Sequence, residues 1–196
     1  VCTGDVDNES YTFSITEPVS TNVVNKVAKF ENVNIYQGTF LEKTFIYDGS
    51  LDQRFILDNS FIDTSKIAVY IKGQSEDGLG TQYSLVNDII NVNSNSKIYL
   101  IKEIQDEKYE LKFGDGFFGK KLGTNPNQDG DFITVRYITT DGESGNGAEN
   151  FNFSGRLVKS DGQVANITGG PTISSIVKAQ NGGNVEPIDS IKYFSP

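Results

Sequence analysis

The sequence predicts a mainly β fold, with short antiparallel strands in a sandwich- or barrel-like arrangement, little helix, and one helix start at the C-terminus. Three observations lead there. Apolar residues alternate with polar ones in many short stretches, the period of a half-buried strand. Gly and Asn recur between those stretches, where the chain has to turn. Thirteen Phe and nine Tyr supply bulky core material to a chain that is only 36% hydrophobic. Strands this short and frequent suit a sandwich or barrel better than βαβ units.

In chain order, residues 1–10 are polar and read as frayed or paired with a segment outside this sequence. Residues 11–15 alternate cleanly as a first strand, interrupted by Pro18. Residues 19–27 suit a loop or short helix. Residues 30–36 read as a strand, and Gly38 turns the chain into a longer one at 40–47. Asp48-Gly49 is a turn dipeptide. Residues 54–57 form a short strand with Phe55 and Leu57 inward, and Asp63-Thr64-Ser65 sits in a polar turn. The most strongly β segment is 67–72, with Ile67, Val69 and Ile71 on one face. After an exposed loop at 73–80, three short strands are expected at 83–86, 89–92 and 97–101.

Next comes Tyr109-Glu110-Leu111-Lys112-Phe113, a strand with Tyr109, Leu111 and Phe113 on one face. Gly114-Asp115-Gly116 breaks its pleat, because Gly and Asp tolerate the positive φ of a tight turn. Phe117 and Phe118 read as a second apolar anchor, ended by Gly119. Residues 124–130 read as a loop and 132–137 as a strand. Gly145-Asn146-Gly147 comes after it, then a hairpin or irregular edge at 150–153 and 155–158 and a last strand at 174–179. Gly182-Gly183 precedes the helix start, where Pro187 suits the first turn and Ile188 and Ile191 share a face.

A formal charge of −9 argues against non-specific binding to nucleic acid or to anionic membranes. No apolar run is long enough to span a bilayer, and the first residues lack the regions of a signal peptide. Cys2 is the sole cysteine, so no intrachain disulfide can form, and a reducing cytoplasm fits best. Histidine is absent, which removes Ser-His-Asp and Cys-His catalysis and histidine-based zinc sites. Twenty-six acidic residues make the meeting of any two carboxylates uninformative. The run 125–130 resembles the opening of an EF-hand loop, but Arg136 stands where the closing bidentate Glu is needed. The run 114–119 lacks the Gly-Lys-Ser/Thr ending of a phosphate loop. The expectation is no enzyme, no cofactor and no metal, with Gly114, Asp115, Gly116, Gly119, Gly145, Asn146, Gly147, Gly182 and Gly183 as structural turn residues.

The ordered set of Phe113-Gly114-Asp115-Gly116-Phe117-Phe118-Gly119, then Val135-Arg136-Tyr137, Gly145-Asn146-Gly147 and Gly182-Gly183-Asn184-Val185-Glu186-Pro187, resembles the baseplate-J-like family. These are wedge proteins of contractile-tailed bacteriophages of the myovirus type. The resemblance covers roughly residues 109–196. It implies a structural virion protein of the tail baseplate, made in the host cytoplasm. Its partners would be copies of itself and other wedge proteins, in a ring around the hub that transmits the change triggering sheath contraction. No nucleic acid and no membrane insertion are implied.

The chain lacks Met and stops just after the helix start, so it reads as an internal fragment. Residues 1–181 would be the β-rich region, with room for a division into two subdomains near 93–97. Residues 182–196 would be a linker and the start of a helix leading to a missing domain. The alternative reading is a glycan-binding β-sandwich module of a tail fibre or surface protein. The absence of Trp, a common sugar platform, counts against it.

Overall fold

The computed structural model describes residues 1–50, 52–73, 75–86, 90–123, 131–174 and 177–184. The fold is mainly β and falls into two compact units, Val1–Phe40 with Thr140–Pro196, and Leu41–Thr139. The second unit is inserted into the first, so the chain divides at 40/41 and again at 139/140. Residues 93–97 lie inside the second unit. The expected C-terminal helix falls on residues outside the described ones, as does the EF-hand-like run 125–130.

The first unit is built on a four-stranded sheet. Strand β1 (Cys2–Val6) pairs antiparallel with β2 (Glu9–Ser14) across a two-residue turn. Asp7 and Asn8 hold φ of 50° and 71° there, the primed hairpin turn that matches strand twist. The expectation of a frayed start at residues 1–10 is therefore corrected. Cys2 is buried, and Gly4 leaves room for the rings of Phe151 and Phe13, which a Cβ would strike. Those rings meet edge to face at 4.9 Å.

Strand β13 (Glu149–Phe153) completes one edge by pairing with β1, so the hairpin expected with residues 155–158 does not form. Residues 23–28 form a small antiparallel ribbon of β3 (Val23–Val24) and β4 (Val27–Ala28), turned by Asn25 and Lys26 at positive φ, where a loop or helix was expected. Of the strand expected at 30–36, only Tyr36 joins β5 (Tyr36–Gln37), which pairs with β2. Ser14 Oγ donates to Gly38 O at 2.8 Å and accepts from Phe40 N at 3.2 Å, so this buried hydroxyl is satisfied twice.

The second unit is a nearly closed barrel-like sheet. It comprises β6 (Thr39–Ile46), β7 (Phe55–Leu57), β8 (Ala68–Gly73), β9 (Thr81–Leu85), β10 (Ile98–Ile104), β11 (Lys108–Phe113) and β12 (Asp131–Thr139). Their order across the sheet is β6-β12-β8-β9-β10-β11-β7. Neighbours run antiparallel except β9 and β10, which are parallel. For β6 and β12 the sense comes from Tyr47 N bonding Asp131 O, Thr44 facing Thr134 and Glu42 facing Arg136.

Side chains bridge the gap between the outer strands β6 and β7. Lys43 Nζ donates to Ile56 O at 3.0 Å and to Asp58 Oδ1 at 2.6 Å, and the Phe45 ring meets Phe55 edge to face at 5.6 Å. The aromatic series continues through Phe113 at 5.3 Å and Tyr83 at 6.2 Å, crossing the interior from seam to far strand. Around it pack Leu57, Val69, Leu111, Ile133 and Val135, all fully buried, as the period-2 pattern requires. The strand expected at 89–92 is absent from the described residues 90–92, and Ile90 lies exposed.

Three polar groups in this unit show how burial is tolerated. Burial pushes the pKa of the Tyr99 hydroxyl up to about 12, and that hydroxyl donates to Ile67 O at 2.9 Å. Burial also pushes Tyr83 up to about 12, with Asp131 adding to the effect. Glu110, on the face expected to be polar, is buried under Arg54, whose Nε donates at 2.8 Å and holds the carboxyl below its usual range.

Leu111 on β11 is fully buried in the core of this unit. Leu111→Ala should cost about 2–5 kcal/mol in a denaturant titration. Leu100→Ala, exposed on the neighbouring β10, should stay within about 0.5 kcal/mol.

Candidate functional site

The turn residues singled out in the sequence form two separate structures, one in each unit. In the second unit, β11 runs into Gly114, which forms a parallel bridge with Lys121. A Cβ on Gly114 would overlap the backbone of Gly119, and one on Gly119 would strike Ile98. Two stretches of chain cross here at a distance only glycine permits. Gly116 and Gly119 also hold φ of 98° and 88°.

Asp115 Oδ1 accepts from Phe117 N and Phe118 N, both at 2.8 Å, and Gly116 N donates to Gly119 O at 3.1 Å. The amides of Phe118 and then Phe117 hold the Asp115 carboxyl below its usual range. The loop is pinned from outside as well, by Gly119 N to Asn93 O at 3.0 Å and Lys120 N to Ser96 O at 2.7 Å. Residues 93–96 are themselves a self-bonded turn, with Asn95 N on Asn93 Oδ1 and Asn93 N on Ser96 Oγ.

Phe117 and Phe118 are not the apolar anchor the sequence predicts. They are 83% and 57% exposed at the tip of this loop. Their backbone amides are engaged by Asp115, and the reversal at Gly119 turns the chain back before either ring can reach the core. Leu122, buried three residues beyond Gly119, packs in the core instead. The result is a rigid backbone presenting two adjacent aromatic rings to solvent.

In the first unit, Asn146 of the Gly145-Asn146-Gly147 run meets Gly182. Asn146 Oδ1 accepts from Gly182 N at 2.8 Å and Asn146 Nδ2 donates to Gly182 O at 2.9 Å, so one side-chain amide satisfies both backbone groups. Gly147 N donates to Ala179 O at 2.7 Å and Ala179 N to Ala148 O at 3.0 Å. These two bonds are the only trace, among the described residues, of the strand expected at 174–179. Gly183 has open space where a Cβ would stand, whereas Gly145 is buried against Gln37.

Sequence reasoning missed Gln37 altogether. Its Oε1 accepts from Thr140 Oγ1 at 2.5 Å and from Asp141 N at 2.9 Å, and its Nε2 donates to Asp141 Oδ2 at 2.6 Å. The partners lie more than a hundred positions away, and no local pattern marks them. The Asn93-Ser94-Asn95-Ser96 run, where the sequence offered only room for a subdomain division, proves to be the anchor for Gly119.

Among the described residues, no three His, Cys, Asp or Glu side chains gather in a metal-binding group, and no helix is long and apolar enough to cross a membrane. The chemistry on offer at the glycine loop is presentation of an apolar surface on a fixed backbone.

Two outcomes test the loop. Gly119→Ala should destabilise the chain by about 2–4 kcal/mol, combining the left-handed penalty with overpacking against Ile98. Because the Asp115 value is depressed in the folded chain, its contribution is present above the ordinary aspartate range and lost as pH falls through the depressed value. Amide exchange at Phe117 and Phe118, corrected for the intrinsic pH dependence of exchange, should therefore lose protection on acidification. In Asp115→Asn that pH dependence should vanish.

No family model matches the chain. The chain is similar to baseplate wedge protein gp6 of Enterobacteria phage T4, at 29% identity over 175 residues, covering 83% of this chain and 25% of that protein. It thus spans about a quarter of the length of the relative it matches. The similarity runs through most of the chain and supports a relationship to baseplate wedge proteins.

Proposed function

We propose that the chain is a structural part of a bacteriophage tail baseplate wedge, acting by assembly and without turnover. It associates with copies of itself and with other wedge proteins in a ring around the hub. The ring carries the rearrangement that triggers contraction of the tail sheath. The observation that carries this reading is the similarity to a baseplate wedge protein over 83% of the chain.

The physical character of the chain is in keeping with that role. Force passes best through elements that do not deform, and closely packed cores resist deformation. The aromatic series inside the barrel-like sheet and the doubly bonded Asn146–Gly182 junction are elements of that kind. An acidic chain with −9 formal charge is not built to grip DNA, so its contacts in a virion would be with protein.

Immunogold electron microscopy of isolated tails, with antibody raised against residues 1–196, tests the reading. Label should be confined to the baseplate and should increase after partial disassembly exposes the wedges. Label at fibre tips would overturn it and favour a glycan-binding module.

A further inference from the structure

The sequence holds two Asn-Gly dipeptides, Asn146-Gly147 and Asn181-Gly182, and the fold brings both into one junction of the first unit. Asn followed by Gly readily loses its side-chain amide, because no Cβ on the second residue shields the backbone nitrogen that attacks. Gly147 is open in this sense, with nothing near the position of a Cβ.

In the junction every reacting group is occupied. Gly147 N donates to Ala179 O at 2.7 Å and Gly182 N donates to Asn146 Oδ1 at 2.8 Å, so neither nitrogen is free to attack. The Asn146 amide is turned onto Gly182, with Nδ2 on Gly182 O at 2.9 Å. Asn146 is also extended, with φ −67° and ψ 139°. Closing the five-membered ring of deamidation would need Gly147 N nearly eclipsed with the Asn146 Cβ, and this backbone holds it well away.

The partners that impose this protection come from one short segment, 177–184. Its other ties are Ala179 N to Ala148 O at 3.0 Å, Glu143 N to Asn184 Oδ1 at 3.2 Å and the exposed Lys178–Glu149 ion pair at 3.0 Å. Solvent-exposed bonds of this kind open locally at far lower cost than the unit unfolds.

We propose that Asn146 is a latent deamidation site, kept unreacted by the 177–184 segment and committed to reaction once that segment lifts away. On release, Gly147 N gives its proton to hydroxide and attacks Asn146 Cγ. The C–N bond of the side-chain amide breaks, ammonia leaves with a proton from water, and a cyclic imide remains. Water then opens the imide at either carbonyl, giving Asp or its β-linked isomer at 146. No electrons are transferred, and water is the sole co-reactant.

The change runs one way. A carboxylate at 146 offers no donor to Gly182 O and sets oxygen against oxygen where the amide made a hydrogen bond. The β-linked isomer also adds a methylene to the backbone of the turn. A segment that has opened long enough to react therefore recloses poorly, and the chemistry turns a reversible opening into a permanent one. Asn181-Gly182 is guarded by the same junction, through the hold of Asn146 Oδ1 on Gly182 N.

Peptide mapping by mass spectrometry on the 196-residue chain, incubated at mildly alkaline pH, tests this. Conversion at Asn146 should be slower in the folded chain than in urea at the same pH by roughly tenfold or more, since modification of a transiently opened site tracks the open population. A methyl group at position 182 would strike Gly142 O, so Gly182→Ala should lift the segment and bring Asn146 close to its rate in urea. Amide exchange at Gly147 and Ala179 reports that opening, and protection across β1 and β2 reports that the rest of the unit is folded. Where Gly182→Ala fails either check, Ala179→Pro, which removes the bond to Ala148 O, takes its place.

Equal rates in the folded chain and in urea would overturn the proposal. So would an Asn146 that stays intact in a folded variant whose segment is open. Asn146→Asp examines the one-way step: its Gly147 and Ala179 amides should lose protection, and unchanged protection would overturn that step.

Discussion

The second unit depends on a backbone crossing that no Cβ can enter. Where Gly114 passes Gly119, the chain leaving β11 is folded back on itself, and the close approach fixes the path of the next residues. Gly119 N and Lys120 N are brought onto the 93–96 turn just ahead of β10, tying the end of one hairpin strand to the start of the other. Leu122 then drops into the core, and Gly123 N reaches Asp131 Oδ2 at 2.7 Å, at the entry to β12. A single methyl group at either glycine would force these elements apart. The same crossing holds Phe117 and Phe118 out of the core, so the feature that organises the fold also creates its exposed aromatic tip.

The barrel-like sheet depends on that order but is closed by different means. Its outer strands meet through Lys43, Asp58 and the Phe45–Phe55 ring contact rather than through a backbone ladder. Open strand edges invite pairing with other chains, and a charged side chain on the edge discourages it. Lys43, donating to Ile56 O, both covers a strand-edge carbonyl and places a cation on the seam.

The sequence was most informative where burial follows strict alternation. The strands at 40–47, 54–57, 67–72, 109–113 and 132–137 correspond to β6, β7, β8, β11 and β12, because one face of each lies in the core and register follows the pleat. Alternation misled where apolar residues do not mark burial, as at 30–36 and 89–92. It was silent for β1, whose position comes from an Asp7-Asn8 turn and the missing Cβ of Gly4. At the site, Gly and Asp identified the loop but not the direction of its rings, which hydrogen bonds two and three residues ahead of Asp115 decide. The Gln37 clamp joins residues more than a hundred positions apart, so it could appear only in three dimensions.

The Gly114–Gly119 crossing thus fixes both the exposed tip and the chain around it. Amide hydrogen exchange on the unaltered chain and on Gly114→Ala would examine that crossing directly. The amides of Phe117, Phe118, Gly119 and Lys120 should be protected in the unaltered chain and should lose protection together in the variant. Protection left unchanged by the added methyl group would contradict the account.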